Sequence, residues 1–254
     1  TEDLDLSYRA KMKGWKFVYR VEEAVPAELP SNIYALKSQQ FRWTKGAAEC
    51  LKKLWPLLLR SELSFWQKLN GLVHLSNSFL FLAIFTCAML SIPAMFIKVH
   101  SDVYDDYFTL AGIFISSLFA LALIYATAYQ KVTGDYKGFW WRFPLFLSVS
   151  MGLSLHNAIA VVEGYIGRKS PFVRTPKSGE GQGSKGAQLY TKVAISPLSY
   201  IELLLSLLFA AAGVYGIVHL EFGLVPFHFM LSLGFFYVSY AALGNLRLKA
   251  HGSA

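Results

Sequence analysis

Three short clusters carry residues that could do chemistry. The first is Thr1-Glu2-Asp3-Leu4-Asp5, three carboxylates within five residues. A carboxylate can take the proton from a sugar hydroxyl as that hydroxyl attacks, so this cluster offers a general base. Acidic residues at a helix start also complement the helix dipole, and Thr is a good N-cap, so plain capping accounts for the same residues. The second cluster is Gln39-Gln40-Phe41-Arg42-Trp43. Arg can hold a phosphate with two parallel hydrogen bonds, and Trp offers a flat face to a sugar ring. A helix docking its Trp into a core would read the same way. The third is Phe172-Val173-Arg174-Thr175-Pro176-Lys177, which runs into a Gly/Ser-rich segment ending at Gly186. Such a segment is flexible and could carry a cationic, hydroxyl-bearing tip to an anionic ligand. It could equally be a basic loop whose charges only fix topology.

The elements that must position these clusters change character along the chain. Residues 1–70 hold 12 of the 24 Lys and Arg and 8 of the 16 Asp and Glu, with no apolar run long enough to span a membrane. Leu4 to Gly14 has helical spacing, Trp15 to Val21 is an aromatic and β-branched run that predicts a strand, and a second helix is expected from Ser31. Helix, strand and helix fit the tail of a soluble α/β domain. Lys52 to Lys68 is amphipathic, with Leu and Trp among Lys and Arg. Such a helix favours the headgroup region, or else packs on the surface of the soluble domain.

The remainder is apolar. The 254-residue chain is 54% hydrophobic and only 16% charged, against roughly 25% charged for a soluble domain. That excludes a disordered chain, a coiled coil and a soluble nucleic-acid-binding module, so no nucleic acid partner is expected. Two cysteines, Cys50 and Cys87, make neither a disulfide framework nor a Cys-based zinc site. Five stretches approach the roughly 20 residues that cross a hydrocarbon core: Leu72–Ile97, Phe108–Tyr129, Phe143–Val162, Leu198–His219 and Gly223–Leu246. The connector 98–107 sums to −2, the connector 130–142 to +2 and the connector 163–197 to +4. By the positive-inside rule the first lies outside and the other two inside. Both ends of Phe143–Val162 therefore prefer one side, and Ser150, Ser154 and Asn157 make a polar stripe along it with His156 beside. It is expected to be an interfacial or re-entrant helix, leaving four spans.

The clusters and the span pattern together resemble the C-terminal part of membrane-embedded, inverting family 2 glycosyltransferases. Within that family the chain is similar to the cellulose synthase and glucomannan (mannan) synthase branch, and nearest to its bacterial members. Thr1-Glu2-Asp3 matches the Thr-Glu-Asp motif, which implies that Asp3 is the catalytic base, with Thr1 and Glu2 supporting it. Gln39, Arg42 and Trp43 match Gln-x-x-Arg-Trp, which implies contacts to the acceptor sugar and the diphosphate region. Phe172, Thr175 and Lys177 match the gating loop Phe-x-Val-Thr-x-Lys, although Arg174 stands where that motif has Val. Thr175 and Lys177 are the implied nucleotide contacts.

The resemblance implies a mainly α, polytopic membrane protein. Residues 1–50 would close a cytosolic GT-A-type α/β catalytic domain, 51–70 would be the amphipathic interfacial helix, and 71–254 the membrane domain with a cytosolic gating-type loop at 163–197. It implies a processive hexosyltransferase that takes a nucleotide sugar (UDP-glucose or GDP-mannose) and extends and translocates a β-linked glucan, mannan or glucomannan. The setting would be a bacterial inner membrane. The donor-binding half and the Asp-x-Asp ligands of an Mg²⁺ or Mn²⁺ ion are expected before Thr1, so the chain alone is expected to be inactive and to hold no metal. Asp3 and Asp5 share that spacing but follow the base. Two other classes share some of these features. A non-processive glycolipid transferase has an Arg-Trp motif and a membrane anchor, but the gating-loop match and the later spans argue against it. A transporter or channel should carry paired intramembrane charges.

Overall fold

A computed structural model describes residues 1–20, 22–23, 25, 30, 32–169 and 197–244. Thr175 and Lys177, like Phe172 and the Gly/Ser-rich segment after them, lie outside the described residues. Ten α-helices are described: α1 Glu2–Met12, α2 Ile33–Arg60, α3 Phe65–Leu75, α4 Phe79–His100, α5 Asp105–Ala111, α6 Ile115–Thr133, α7 Phe139–Gly152, α8 Ser154–Ile166, α9 Pro197–Val218 and α10 Val225–Gly244. They fall into two compact units. One comprises Thr1–Ala83 and Ser154–Ile195, the other Ile84–Leu153 and Ser196–Ala254.

Local chemistry explains where the helices of the first unit begin. Asn32 caps α2, its side chain accepting from the Ala35 amide at 2.9 Å. Ser64 and Gln67 form a reciprocal capping box that starts α3. The expected amphipathic stretch 51–70 is therefore shared between two helices, with a turn after Arg60 that Ser61 closes onto the Leu58 carbonyl at 2.7 Å. Under α1 lies a small core of Cys50, Leu54, Leu58 and Leu75, against which Leu4, Tyr8 and Met12 pack. Each fully buried Leu contributes about 1.5–3 kcal/mol relative to leaving it in water. Tyr8 adds a polar tie, donating to the Gly71 carbonyl at 3.1 Å and lying 2.8 Å from His74 Nδ1.

The strand expected over Trp15–Val21 is not found: the described part, residues 15–20, forms neither strand nor helix. A strand exists only as one member of a hydrogen-bonded ladder, and no described segment pairs with it. Trp15, Phe17, Val18 and Tyr19 are all exposed. The α/β portion of the expected fold is thus absent among the described residues, which are helical.

Among the described residues, four helical stretches are long and apolar enough to cross a membrane: Phe65–His100, Asp105–Thr133, Pro197–Val218 and Val225–Leu243. The stretch 143–162 is not one helix. It divides at Leu153 into α7 and α8, a broken pair that could bring the number of crossings to five. Within the second unit, α7 and α10 approach until their backbones touch, because Gly152 and Gly234 face each other and a Cβ at either would strike the other helix. Along the α9–α10 seam, Ser206 Oγ donates to the Ser232 carbonyl at 2.9 Å. His228 is fully buried, with Nε2 2.9 Å from Ser91 Oγ on α4.

Candidate active site

Helix α2 is the organising element of the first unit, because it presents two opposed faces to two different partners. At 100° per residue, Ile33, Lys37, Phe41, Thr44, Lys45, Ala48 and Lys52 share one side, and α8 lies along it. Glu163 of α8 pairs with Lys45 at 3.1 Å, the two side chains being 16% and 6% exposed. Glu163 also holds Arg168 at 3.1 Å. His156 donates through Nε2 to the Lys37 carbonyl at 3.0 Å, and its ring lies 5.2 Å from that of Phe41. Gly164 lets the helices close up: a Cβ there would strike the Lys45 carbonyl oxygen and lie 3.1 Å from Ala48 Cβ.

The opposite side of α2 carries Gln39, Trp43, Gly46 and Cys50, the i, i+4, i+7, i+11 series of a single stripe. The start of α1 sits on this stripe. Cys50 Sγ is 3.7 Å from both the carbonyl and the hydroxyl oxygen of Thr1, and Gly46 faces the Thr1 side chain so closely that a Cβ on it would overlap Oγ1. Trp43 stands three residues before Gly46, about 4.5 Å along the helix axis. It is 54% exposed, so its ring is presented outward and not docked in a core. Gln39 and Arg42 are half-buried beside it. The structure therefore seats Thr1, the first residue of the first cluster, one helical turn from Trp43 of the second, on Gly46 and Cys50.

Within the first cluster the three carboxylates have different surroundings. Asp5 is committed to ion pairs: Arg9 Nε donates to it at 2.7 Å and Lys53 Nζ lies 3.2 Å away. The Arg9 guanidinium, with Lys53 behind it, holds the Asp5 carboxyl below the usual carboxylate range. Asp3 is exposed, and its Oδ1 accepts from the Leu4 amide at 2.8 Å. No cation pairs with Asp3 among the described residues. Capping is thus divided differently from the simple expectation. Thr1 occupies the N-cap position but its side chain makes no capping hydrogen bond, being turned against Gly46 and Cys50 instead. One carboxylate is locked into ion pairs, and Asp3 is left exposed.

Among the described residues no group of three or more His, Cys, Asp or Glu could hold a metal ion. Asp3 and Asp5 do not suit one either, since Asp5 already has two cationic partners. A cavity of about 420 Å³ between α1 and α3 is lined by Ser7, Tyr8, Lys11, Gln67, Asn70 and His74 among others. None of the motif residues lines it.

Comparison with known proteins identifies the family. The family model described as "Glycosyl transferase family group 2" matches residues 1–134. The chain belongs to that family. Its curated relatives in this glycosyltransferase family include glucomannan 4-beta-mannosyltransferase 7 of Arabidopsis thaliana, 30% identical over 257 residues that cover 96% of this chain and 43% of the relative. Glucomannan 4-beta-mannosyltransferase 2 of the same plant is 28% identical over 253 residues, 92% of this chain and 44% of the relative. Probable glucomannan 4-beta-mannosyltransferase 2 of Oryza sativa subsp. japonica is 37% identical over 113 residues, 41% of this chain and 19% of the relative. The chain spans less than half the length of the two Arabidopsis relatives. No solved structure matches it.

Sequence reasoning found the two motifs but missed what joins them. Gly46 is not part of either motif, Cys50 counts in the sequence only as a cysteine without a disulfide or zinc role, and Glu163 only as a charge. A glycine inside a 28-residue helix was the available signal, since Gly costs about 1 kcal/mol against Ala there and needs a packing reason.

Proposed function

We propose that this glycosyltransferase chain is the acceptor-side and membrane portion of an inverting hexosyltransferase that extends a β-linked polysaccharide from a nucleotide sugar. Glucomannan or mannan is the favoured product class, because the relatives named above are glucomannan mannosyltransferases, and GDP-mannose is then the favoured donor over UDP-glucose. The observation that carries the reading is the seating of Thr1, two residues before Asp3, on the stripe of α2 that bears Gln39 and Trp43.

Trp43 offers its exposed face to the terminal sugar of the acceptor, and Gln39 and Arg42 supply hydrogen bonds beside it. Asp3 accepts the proton of the acceptor hydroxyl as its oxygen bonds to the anomeric carbon. The bond from that carbon to the diphosphate breaks, configuration inverts, and the nucleoside diphosphate departs. Asp3 suits this role because it is accessible and unpaired with any cation among the described residues, whereas Asp5 is neutralised by Arg9 and Lys53. Phe172, Thr175 and Lys177 are assigned to the nucleotide in this reading on their motif alone. An Mg²⁺ or Mn²⁺ ion would assist departure of the diphosphate, but the described residues do not form a site for one, and no step here depends on it. Residues 1–50 belong to the end of a GT-A-type domain at the cytosolic face of a bacterial inner membrane. Residues 51–70 and α8 lie at its surface, and four spans carry the polymer across.

The test is incorporation of radiolabel from GDP-mannose and UDP-glucose by membranes expressing the complete open reading frame that encodes this chain. High-molecular-weight product from one donor should disappear with Asp3→Asn while the protein remains in the membrane. Trp43→Ala should cut chain extension more deeply than donor hydrolysis. An active Asp3→Asn enzyme removes Asp3 as base, and a parallel fall of both activities in Trp43→Ala removes the stacking role. Short, lipid-soluble product alone would point to a glycolipid transferase.

A further inference from the structure

We infer that Gly46 is a positioning residue for transfer: the absence of a side chain there sets how closely the base-bearing turn of α1 approaches the acceptor helix. This rests on the reading of Asp3 and Trp43 given above. Nothing in the two motifs requires it, and the geometry supplies it. A Cβ built on Gly46 would overlap Thr1 Oγ1 and lie 2.9 Å from Thr1 Cγ2 and 3.1 Å from Thr1 Cβ. Separations under about 3 Å are repulsive contacts between non-bonded heavy atoms, whose optimum for carbon is near 3.5–4.0 Å. Gly46 is not in a left-handed turn and caps nothing, so backbone conformation does not demand glycine. Close approach does.

The neighbours of this contact determine what moves when it is filled. On the far side, α2 is held to α8 by Glu163 and by the close packing of Gly164, and Leu54 and Leu58 of α2 are fully buried. Helix α1 has no buried residue at all. The light element yields. An added methyl therefore lifts the Thr1–Asp3 turn off α2 and leaves Gln39, Arg42 and Trp43 in place, which lengthens the distance from base to stacked acceptor. Misplacement of a reacting group by about 1 Å costs on the order of 10²-fold in rate.

The experiment is a two-residue cycle on the complete enzyme in membranes. Gly46→Ala should lower the rate of chain extension about 10²-fold, with the donor KM changed by less than about threefold and the membrane amount unchanged. Thr1→Ala deletes Oγ1 and Cγ2, two of the three atoms that meet the new methyl. In the Thr1→Ala background, adding Gly46→Ala should therefore cost less than about threefold. An equal penalty in both backgrounds overturns the inference, as does a Gly46→Ala enzyme with the unaltered rate. Loss of the Gly46→Ala protein from the membrane, unrepaired by Thr1→Ala, overturns it too, because the residue would then serve folding alone. Asp3→Asn, run in parallel, separates this failure from failure of the base assignment. If that variant retains activity, the assignment itself falls.

Discussion

Replacement of the Lys45–Glu163 pair provides a direct test of how α2 and α8 are joined. The two side chains are 6% and 16% exposed and 3.1 Å apart, so both charges have lost most of their water. Removing one partner of such a pair typically costs about 3–5 kcal/mol, because the remaining charge is left uncompensated in a poor solvent. The two single variants should not be equal. In Lys45→Met, Glu163 keeps Arg168 at 3.1 Å, which is 70% exposed and hydrated, so this loss belongs at the lower end, about 3 kcal/mol. In Glu163→Leu, the buried ammonium group loses the carboxylate that lies 3.1 Å away. That loss belongs at about 3–5 kcal/mol. The double variant Lys45→Met/Glu163→Leu buries apolar groups of similar size and should lie within about 1 kcal/mol of the parent. Thermal unfolding of the purified chain in detergent reads these differences at about 2–4 °C per kcal/mol for a chain of this size. The order should be parent, double variant, Lys45→Met and Glu163→Leu, with a coupling of several kcal/mol. Single variants within 1 °C of the parent, or a double variant at the sum of the singles, would refute the claim that this pair is buried and coupled.

Two further outcomes follow from particular residues. Burial beside Lys37 pushes the His156 imidazole down to about 4 from its ordinary 6.5, on the helix that the proposal above places at the membrane surface. Below pH 6.5 the unfolded chain takes up a proton that the native state refuses. Stability should therefore fall as pH drops from 6.5 to 4, by about 2 kcal/mol between pH 7 and pH 5, and fall no further below 4. His156→Gln should flatten that part of the profile, and an unchanged slope in the variant would assign it to other groups. For topology, a cysteine placed at Lys185 in a background lacking Cys50 and the exposed Cys87 should react with a membrane-impermeant maleimide only from the cytosolic side. Labelling of intact cells from outside would overturn the four-span arrangement.

How much of this was legible depended on the range of the interactions involved. The spans were readable because hydrocarbon demands long apolar helices, which satisfy their backbone hydrogen bonds internally. The helices found at Pro197–Val218 and Val225–Gly244 lie within two residues of the runs predicted at every end. The strand over 15–21 was not readable in the same way, since its ladder partner must come from elsewhere. Among the described residues it has none, and Trp15 and Phe17 stand exposed. The break at Leu153 depends on the tight passage of Gly152 against Gly234, a contact between residues 82 apart that periodicity cannot register. The motif residues were visible as types and spacing. That Thr1 would rest on Gly46 was not visible, and neither was the division of labour between Asp3 and Asp5, which Lys53 helps to set from another helix.

The buried polar groups of the membrane helices bear on the choice between catalyst and conduit. A transporter lines a water-filled path with charged groups that reach its solvent, and such groups are the usual mark of an intramembrane site. Glu202 and His228 are the ionisable groups inside α9 and α10, and both are 0% exposed. His228 faces Ser91 on another helix, and the same seam carries the bond between Ser206 and Ser232. His228 and Ser206 thus hold helix to helix. Interhelical hydrogen bonds of this kind contribute about 0.6 kcal/mol each on average, enough over several contacts to fix which faces meet. Their placement gives the second unit a specified packing, while the accessible carboxylate and aromatic face lie on α1 and α2 of the first. His228→Leu should therefore lower the detergent unfolding temperature without altering which donor sugar is incorporated. A change of donor preference in that variant would mean that the membrane helices take part in the chemistry assigned here to Asp3 and Trp43.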